Sequence, residues 1–410
     1  MDANAIYRRN LRVYYAFGFS MDFMIWAGVW IKYLIDVRGL ELKWILAMDL
    51  PFWLVSAALQ APMGALADHL GKRRVLIGAA LCWTVVILGF GLTTNYWTLF
   101  AVYLAWGLAI ALRSGTDSAL LFDTLKQAGR EDEFQKIAGR GFAVRLSAGV
   151  AGLVLGGQIA NQIGLATTVQ VSCLATLVAA GIAWFFIEPE IQREPSHYLT
   201  NLKAGLTYAW QHREVRYTIL IGSVILTGTF GPVVLMQPFL LDHHVATGLY
   251  GIVQAPMRMI SLVAALLAFW VSRRTQTGRL FLAACVVITA CYVGLAAWSA
   301  TIAFAFFALP ALVSGLTDPL VGAHLNARIP SDRRATVLSV MPLLFALQVA
   351  FFEPALGFLA DGVSLRSAFI FAAAYFVVLM PPLMFLWWRA HDGAPPAALE
   401  AGGVELAAGG

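Results

Sequence analysis

The chain has 410 residues, of which 60% are hydrophobic and only 12% are charged. Soluble domains carry about 25% charged residues, because their surface must be solvated by water. This composition therefore excludes an ordinary soluble protein and predicts that lipid covers much of the molecule. The net charge is only +5, and the basic residues form short scattered clusters, so nucleic-acid binding is not expected.

Twelve apolar runs follow one another along the chain, and each is long enough to cross a bilayer as a helix of about 20 residues. Continuous apolar runs also exclude a closed barrel, whose strands would alternate between apolar and polar residues. The sequence therefore predicts an all-α membrane protein with twelve transmembrane helices. The predicted spans lie near residues 11–36, 43–67, 75–94, 97–121, 139–161, 166–187, 216–241, 248–271, 279–298, 301–325, 335–360 and 366–388.

The longest connection between spans, at 188–215, divides the twelve spans into two sets of six. Its apolar residues recur at helical spacing, which predicts an amphipathic helix on the membrane surface; a plain linker is the alternative. We therefore expect an N-terminal six-helix bundle at 1–187 and a pseudo-symmetric C-terminal six-helix bundle at 216–391. The tail at 392–410, rich in Gly, Ala and Pro, is expected to be disordered.

The placement of the basic residues indicates the orientation of the spans. If the N-terminus is cytoplasmic, the inner connections hold 21 of the 28 Lys and Arg residues and the outer connections hold three. Cytoplasmic loops carry an excess of Lys and Arg, and one miscounted span would scramble this division. We therefore expect a multi-pass protein of the plasma (inner) membrane with both termini in the cytoplasm.

Short related segments recur near the ends of several predicted spans. The segments 64–68, 157–161 and 357–361 share a Gly followed four residues later by Asp or Asn, and each closes the second helix of a three-helix unit. Similarly, 114–118 in the fourth span resembles 314–319 in the tenth. Transporters are built from such repeated units, with a substrate site near the midplane between the halves.

The loop after the second span resembles the signature of the major facilitator superfamily. It reads Gly-Ala-Leu-Ala-Asp-His-Leu-Gly-Lys-Arg-Arg, and the signature is Gly-x-Leu-x-Asp-x-x-Gly followed by basic residues. The resemblance implies two six-helix bundles and transport of a solute by alternating access. It also implies that a cytoplasmic gating motif is formed by Gly64, Asp68, Gly71, Lys72, Arg73 and Arg74.

A second resemblance lies in the fifth span. Its glycines Gly152, Gly156 and Gly157 resemble the Gly-Pro-x-x-Gly-Gly motif of drug-efflux members of the superfamily, with Leu153 in place of the proline. That difference leaves the direction of transport open. The other interpretation is a helix-packing face, because Gly-x-x-x-Gly lets two helices approach closely. A fourth-span arginine of the family is absent, since Tyr103 stands at its position.

Charged residues inside a span cost several kcal/mol unless they are paired or hydrated, so each is a candidate functional residue. Asp22 lies near the middle of the first span, on the same helical face as Tyr15, Phe19, Trp26 and Trp30. A carboxylate there can carry a proton, and the aromatic residues can hold an apolar or cationic substrate. Alternatively, Asp22 pairs with an arginine and the aromatic residues form core.

The fourth, fifth and tenth spans carry further charges. Arg113 and Asp117 are one helical turn apart, which favours either a salt bridge within the helix or a gating or substrate-binding role. Arg145 in the fifth span can face Asp22 or Asp117. Asp318 in the tenth span is the pseudo-symmetric counterpart of Asp117, so these charges are candidates for the substrate cavity.

The eighth span contains a lone Arg258, which needs a partner from another helix or an anionic ligand. Glu353 in the eleventh span is a candidate for that partner, and it is also a second candidate, with Asp22, for proton coupling. Asp49, near the outer end of the second span, is expected to cap its helix or reach the membrane surface.

The sequence thus predicts a secondary active transporter that works by alternating access. Proton-coupled efflux of amphiphilic compounds is favoured by the aromatic face and the glycine motif. The alternative is proton-coupled uptake of a small metabolite, an anion if Arg113 and Arg258 both face the cavity. A membrane enzyme or a channel is the alternative of a different class, but no HExxH or catalytic serine motif is present. The expected partners are a small-molecule substrate, protons and lipid; a monomer without cofactor or metal is expected.

Overall fold

The computed structural model describes residues 3–189, 198–298, 301–330 and 334–392. This described part folds into α-helices joined by short connections. The helices are α1 (Ala3–Asp22), α2 (Trp30–Asp36), α3 (Leu42–Ala47), α4 (Asp49–Leu70), α5 (Lys72–Leu92), α6 (Tyr96–Arg113), α7 (Thr116–Gln127), α8 (Phe134–Ile163), α9 (Leu165–Ala183), α10 (Tyr198–Gln211), α11 (Arg213–Asp242), α12 (Tyr250–Arg274), α13 (Thr277–Ala297), α14 (Ala308–Asn326), α15 (Arg334–Leu338), α16 (Val340–Gly362) and α17 (Leu365–Asp392).

The all-helical membrane architecture predicted from the sequence is confirmed. Within the described residues, eleven helices are long and apolar enough to cross a membrane. The first predicted span differs, because it is discontinuous: α1 ends at Asp22 and α2 begins at Trp30. We call residues 23–29 the span-1 break. The two half-helices together account for the remaining crossing, which is consistent with twelve.

The helices form two bundles. In the first, α5 packs against α9 and α6, α4 packs against α6, and α1 packs against α8 and α9. In the second, α12 packs against α14, and α17 packs against α13 and α11. The helix expected in the connection is present as α10, which lies on α15 where Gly205 approaches Thr336. Except for Asp392, the predicted disordered tail lies outside the described residues.

The two ends of the molecule differ in how the bundles meet. We call the end that carries Ala3, Gly71 and Asp392 the basic face, and the other end the opposite face. The bundles contact each other near the opposite face, where α16 packs on α3 and α4, and α12 packs on α8. There the backbone N–H of Lys43 donates to Asp361 Oδ2 at 2.6 Å.

Two glutamines of the second bundle satisfy the backbone of the span-1 break. Gln237 Nε2 donates to the carbonyl of Ala27 at 3.0 Å, and its Oε1 accepts from the N–H of Ile31 at 3.0 Å. Gln254 Nε2 donates to the carbonyl of Gly28 at 2.8 Å. A break in a membrane helix is tolerated when protein groups replace the lost backbone bonds. The break is therefore stabilised by the contact between the bundles.

The glycines of the fifth span make room for the same break. A Cβ on Gly156 would lie 1.8 Å from the carbonyl oxygen of Ile25, and one on Gly152 would lie 2.9 Å from the backbone nitrogen of Met24. Gly157 approaches the second bundle, where a Cβ would lie 3.1 Å from the nitrogen of Gly251. These close backbone contacts are of the kind that the packing interpretation predicts.

Candidate functional site

A cavity of about 570 Å³ lies between the two bundles, on the basic-face side of their contact. Its walls come from α8 of the first bundle and from α12 and α14 of the second bundle, and Asp22 lies at its inner end, where α1 stops. Its lining includes both apolar and charged residues: Asp22, Met24, Ala27, Phe142, Arg145, Leu146, Gly149, Val150, Leu153, Arg258, Ser261, Leu262, Ala265, Ser314, Gly315, Asp318 and Pro319.

Four charged side chains of the first bundle form one network beside this cavity. Arg113 donates from Nη1 and Nη2 to the two carboxylate oxygens of Asp22, each at 2.8 Å. Arg145 Nη1 lies 3.2 Å from Asp117 Oδ2, and Arg145 Nε lies 3.8 Å from Asp22 Oδ2. The two-pronged guanidinium–carboxylate contact is the strongest form of this ion pair. The network holds two positive and two negative groups, so its charges balance.

Breaks in two spans place three of these charges together, and Arg145 joins them from the interior of α8. α1 ends at Asp22, and α6 ends at Arg113. Gly115 then takes the left-handed conformation with φ +76°, which glycine adopts without steric cost, and α7 begins at the next residue. Asp117 lies in the first turn of α7, where its carboxylate accepts from the N–H of Ser118 at 2.7 Å. A carboxylate is favoured there because a helix N-terminus carries partial positive charge.

The ion pairs of Arg113 and Arg145 bear on the alternatives that the sequence left open. Arg145 contacts both Asp22 and Asp117, as expected. Arg113 and Asp117 are only loosely paired at 3.9 Å, because the Arg113 guanidinium is directed at Asp22. Asp22 and Arg145 line the cavity. Arg113 and Asp117 lie behind its wall, where Arg113 pairs with Asp22 and Asp117 pairs with Arg145.

Two opposite charges of the second bundle face the same cavity without an ion pair. Arg258 on α12 and Asp318 on α14 both line it and are both exposed. Within the described part of the chain, neither has a charged partner at ion-pair distance, and Arg258 is within electrostatic range of Asp22 across the cavity. On the same two helices, the hydroxyls of Ser261 and Ser314 lie 3.3 Å apart.

Arg258 does not contact Glu353 as predicted, and Glu353 has other neighbours. Glu353 is 1% exposed and accepts from Trp53 Nε1 at 2.9 Å. Asp49, 7% exposed, lies close enough to act electrostatically on Glu353, and neither carboxyl group has a cation partner within the described residues. The sequence analysis did not predict that Asp49 and Glu353 lie close together. An available signal was that each residue lies on the second helix of a three-helix unit.

The aromatic face predicted for the first span is divided by the span-1 break. Trp26 is buried inside the first bundle, with its ring 5.1 Å from Trp106 and 5.4 Å from Phe90. Phe19 stacks on Phe23. The described lining of the cavity includes none of the four predicted aromatic residues, which are Tyr15, Phe19, Trp26 and Trp30. The prediction assumed a continuous helix, whereas the span-1 break separates Tyr15 and Phe19 on α1 from Trp26 in the break and Trp30 on α2.

The predicted gating motif forms a compact set of contacts at the basic face. Lys72 is buried and forms an ion pair with Asp123 of α7. The backbone N–H groups of Lys72 and Arg73 donate to the two oxygens of Glu188, each at 2.8 Å, so Glu188 caps the start of α5. Gly71, with φ +91°, makes the turn before it.

The first glycine of the motif has no close neighbour in this conformation. A Cβ on Gly64 would meet nothing within 4 Å. The reason is that α4 contacts the second bundle mainly near the opposite face. Asp68 and Arg74 are exposed at the basic face.

Comparison with known proteins identifies the family. Residues 13–352 match the model of the Major Facilitator Superfamily. This range is most of the chain, so the chain belongs to that superfamily, as the loop motif indicated. No curated protein sequence matches the chain at a significant level.

Solved transporter structures share the fold. A D323A mutant of the nucleoside transporter NupG has a TM-score of 0.77 at 12% identity, covering 92% of this chain and 100% of that chain. An inward-facing, unoccupied bacterial homolog of the human lysosomal transporter Spinster has a TM-score of 0.76 at 15% identity, covering 96% and 99%. A POT family transporter in complex with 5-aminolevulinic acid has a TM-score of 0.71 at 11% identity, covering 93% and 96%. At these identities the likeness shows the fold alone.

Proposed function

We propose that this protein is a secondary active transporter that moves a small amphiphilic solute by alternating access, with protons as the coupling ion. The observation that carries the proposal is the cavity between the bundles, which holds the unpaired charges Arg258 and Asp318. Exposed charges at the depth of the membrane are tolerated where they line a hydrated passage. Such a passage lies between the two halves in transporters built from repeats.

The conformation supports a gated carrier. The bundles touch near the opposite face, and the cavity lies on the basic-face side of that contact. The excess of Lys and Arg at the basic face favours a cytoplasmic location for that face and for both termini. On this assignment the structure corresponds to an inward-open state in the plasma membrane, and the motif from Gly64 to Arg74 acts at the cytoplasmic gate.

Proton coupling is proposed at Glu353 together with Asp49. Two bare carboxylates buried within electrostatic range of each other and without a cation repel each other in a medium of low dielectric constant, so a proton on one of them stabilises the contact between α4 and α16. Opening the opposite face would hydrate the pair and release that proton. Asp22 is less suited to this role, because two arginines already compensate its charge.

Two features of the cavity bear on the solute. Its apolar wall, which includes Phe142, Leu146 and Leu262, fits the apolar part of an amphiphilic compound and supports efflux as the primary function. Uptake of a metabolite is the second candidate, because Arg258 offers an unpaired cation to an anionic group. The similar structures include a nucleoside transporter and a POT family transporter bound to 5-aminolevulinic acid.

Counterflow in proteoliposomes tests the proposal. A compound that stabilises the purified protein in a thermal-shift screen of drugs and metabolites is loaded inside the vesicles at high concentration, and entry of the labelled compound is followed. A carrier gives transient accumulation of label, and an imposed pH gradient then shows the direction of coupled flux by its sign. Passive equilibration without stimulation by internal compound would indicate a channel and contradict the proposal.

A further inference from the structure

The charged residues around the cavity indicate the chemical class of the solute, because some of them form ion pairs and others do not. The network of Asp22, Arg113, Asp117 and Arg145 is internally compensated. Arg258 and Asp318, on two neighbouring helices of the second bundle, have no ion-pair partner among the described residues and remain exposed, although Asp22 acts on Arg258 at longer range. The cavity therefore offers one free positive group and one free negative group.

A ligand of one charge sign cannot satisfy both groups. An anion would pair with Arg258 but would leave Asp318 without a partner and meet the nearby carboxylate of Asp22. A cation would have the reverse difficulty with Arg258 and Arg145. A bound ligand displaces water from both groups, and a charge that loses its water without gaining a partner is costly. A ligand with both charges compensates both groups and adds no net charge to the cavity.

We propose that the cavity binds a zwitterion, with a carboxylate held by Arg258 and an ammonium group held by Asp318. This inference rests on the proposed function and specifies its solute class. The planar guanidinium can hold a carboxylate with two parallel hydrogen bonds. The hydroxyls of Ser261 and Ser314 lie on the same two helices and can complete the polar contacts. The apolar wall with Phe142 receives the side chain of the ligand.

The first test uses ligand chemistry on the unaltered protein. The probes are four zwitterions with increasing charge separation: L-phenylalanine, 4-aminobutanoate, L-phenylalanyl-L-phenylalanine and 6-aminohexanoate. Each is compared in a thermal-shift assay with its methyl ester, which lacks the anion, and its N-acetyl derivative, which lacks the cation. We expect at least one zwitterion to raise the Tm and to bind at least about tenfold more tightly than both blocked forms, as expected for a lost charged hydrogen bond.

The second test assigns each charge to its residue. Arg258→Gln should abolish the preference for the zwitterion over its methyl ester, and Asp318→Asn should abolish the preference over its N-acetyl derivative. The matched controls are Arg279→Gln and Asp242→Asn, which alter exposed residues at helix ends and should keep both preferences. The Tm of each variant without ligand shows whether it is folded.

Three results would overturn the inference: no stabilisation by any of the four zwitterions, equal binding of a blocked form to the unaltered protein, or retained preferences in both folded cavity variants. Failure of the inference can be separated from failure of the proposed function. If a purely anionic or purely cationic compound shows counterflow while the zwitterions do not bind, the protein is a carrier and the zwitterion assignment is wrong. If a zwitterion binds but shows no counterflow, the site is retained and the transport function is wrong.

Discussion

Replacement of Gly251 by alanine is a sharp test of how the opposite face is closed. Gly251 is the second residue of α12 in the second bundle, and a Cβ there would lie 1.6 Å from the carbonyl oxygen of Leu153 on α8 of the first bundle. The obstacle is backbone rather than a flexible side chain. The two bundles therefore cannot keep this contact in the Gly251→Ala variant.

The magnitude follows from the geometry. Real Cβ atoms essentially never come within 3.0 Å of such neighbours, so the 1.6 Å contact must lengthen by at least 1.4 Å. Overpacking of this kind costs about 1–3 kcal/mol in well-packed interiors. Because Gly251 and Leu153 belong to different bundles, the cost falls on the conformation in which the opposite face is closed. A bias of this size changes the ratio of two conformations about 5–150-fold.

Distances between spin labels measure that ratio. Cysteines at Thr94 and Val363, which are exposed at the opposite face on different bundles, carry the labels in a variant lacking the four native cysteines. We expect Gly251→Ala to increase the population with the longer distance. Gly322→Ala is the matched control, because a Cβ there meets nothing within 4 Å; its distance distribution should not change, and its Tm should stay level or rise. An unchanged distribution in folded Gly251→Ala protein would refute the idea that this contact closes the face.

Three further substitutions probe other parts of the structure. Glu353→Gln keeps the shape but cannot carry a proton, so accumulation driven by a pH gradient should be lost while counterflow persists; retained accumulation would remove Glu353 from the coupling. Glu188→Ala removes the cap of α5 and should lower stability by about 0.5–2 kcal/mol, measured as the Tm against the exposed control Glu131→Ala; equal Tm values would count against the cap. Arg113→Lys loses the two-pronged contact with Asp22 and should slow counterflow by at least about tenfold; unchanged counterflow would mean that the contact is dispensable.

Much of the architecture was predictable because lipid imposes a simple rule on sequence. Each crossing needs an apolar run, so the spans could be counted from composition, and the loop from Gly64 to Arg74 identified the family. The pairing of Arg145 with Asp22 or Asp117 was also predictable. Unsatisfied charges within a span need partners, and few are available.

The aromatic face predicted for the first span assumed a continuous helix, which the structure does not have. A helical face extends only as far as the helix does, and nothing local to residues 23–29 required the helix to stop there. The span-1 break depends on distant groups, namely the glycines of α8 and the side chains of Gln237 and Gln254. The proximity of Asp49 to Glu353 likewise arises from the contact between bundles, which a single chain's periodicity does not encode.

The hydrogen bonds from Gln237 and Gln254 have a mechanical consequence. They join the peptide groups of one half of the molecule to amide side chains of the other half, so any rotation that parts the two halves must break them. The released carbonyls of Ala27 and Gly28 then need new donors, which are either incoming water or the backbone N–H groups of a regained helical turn. Two amide side chains thereby link the shape of the first membrane segment to the side from which a solute can enter.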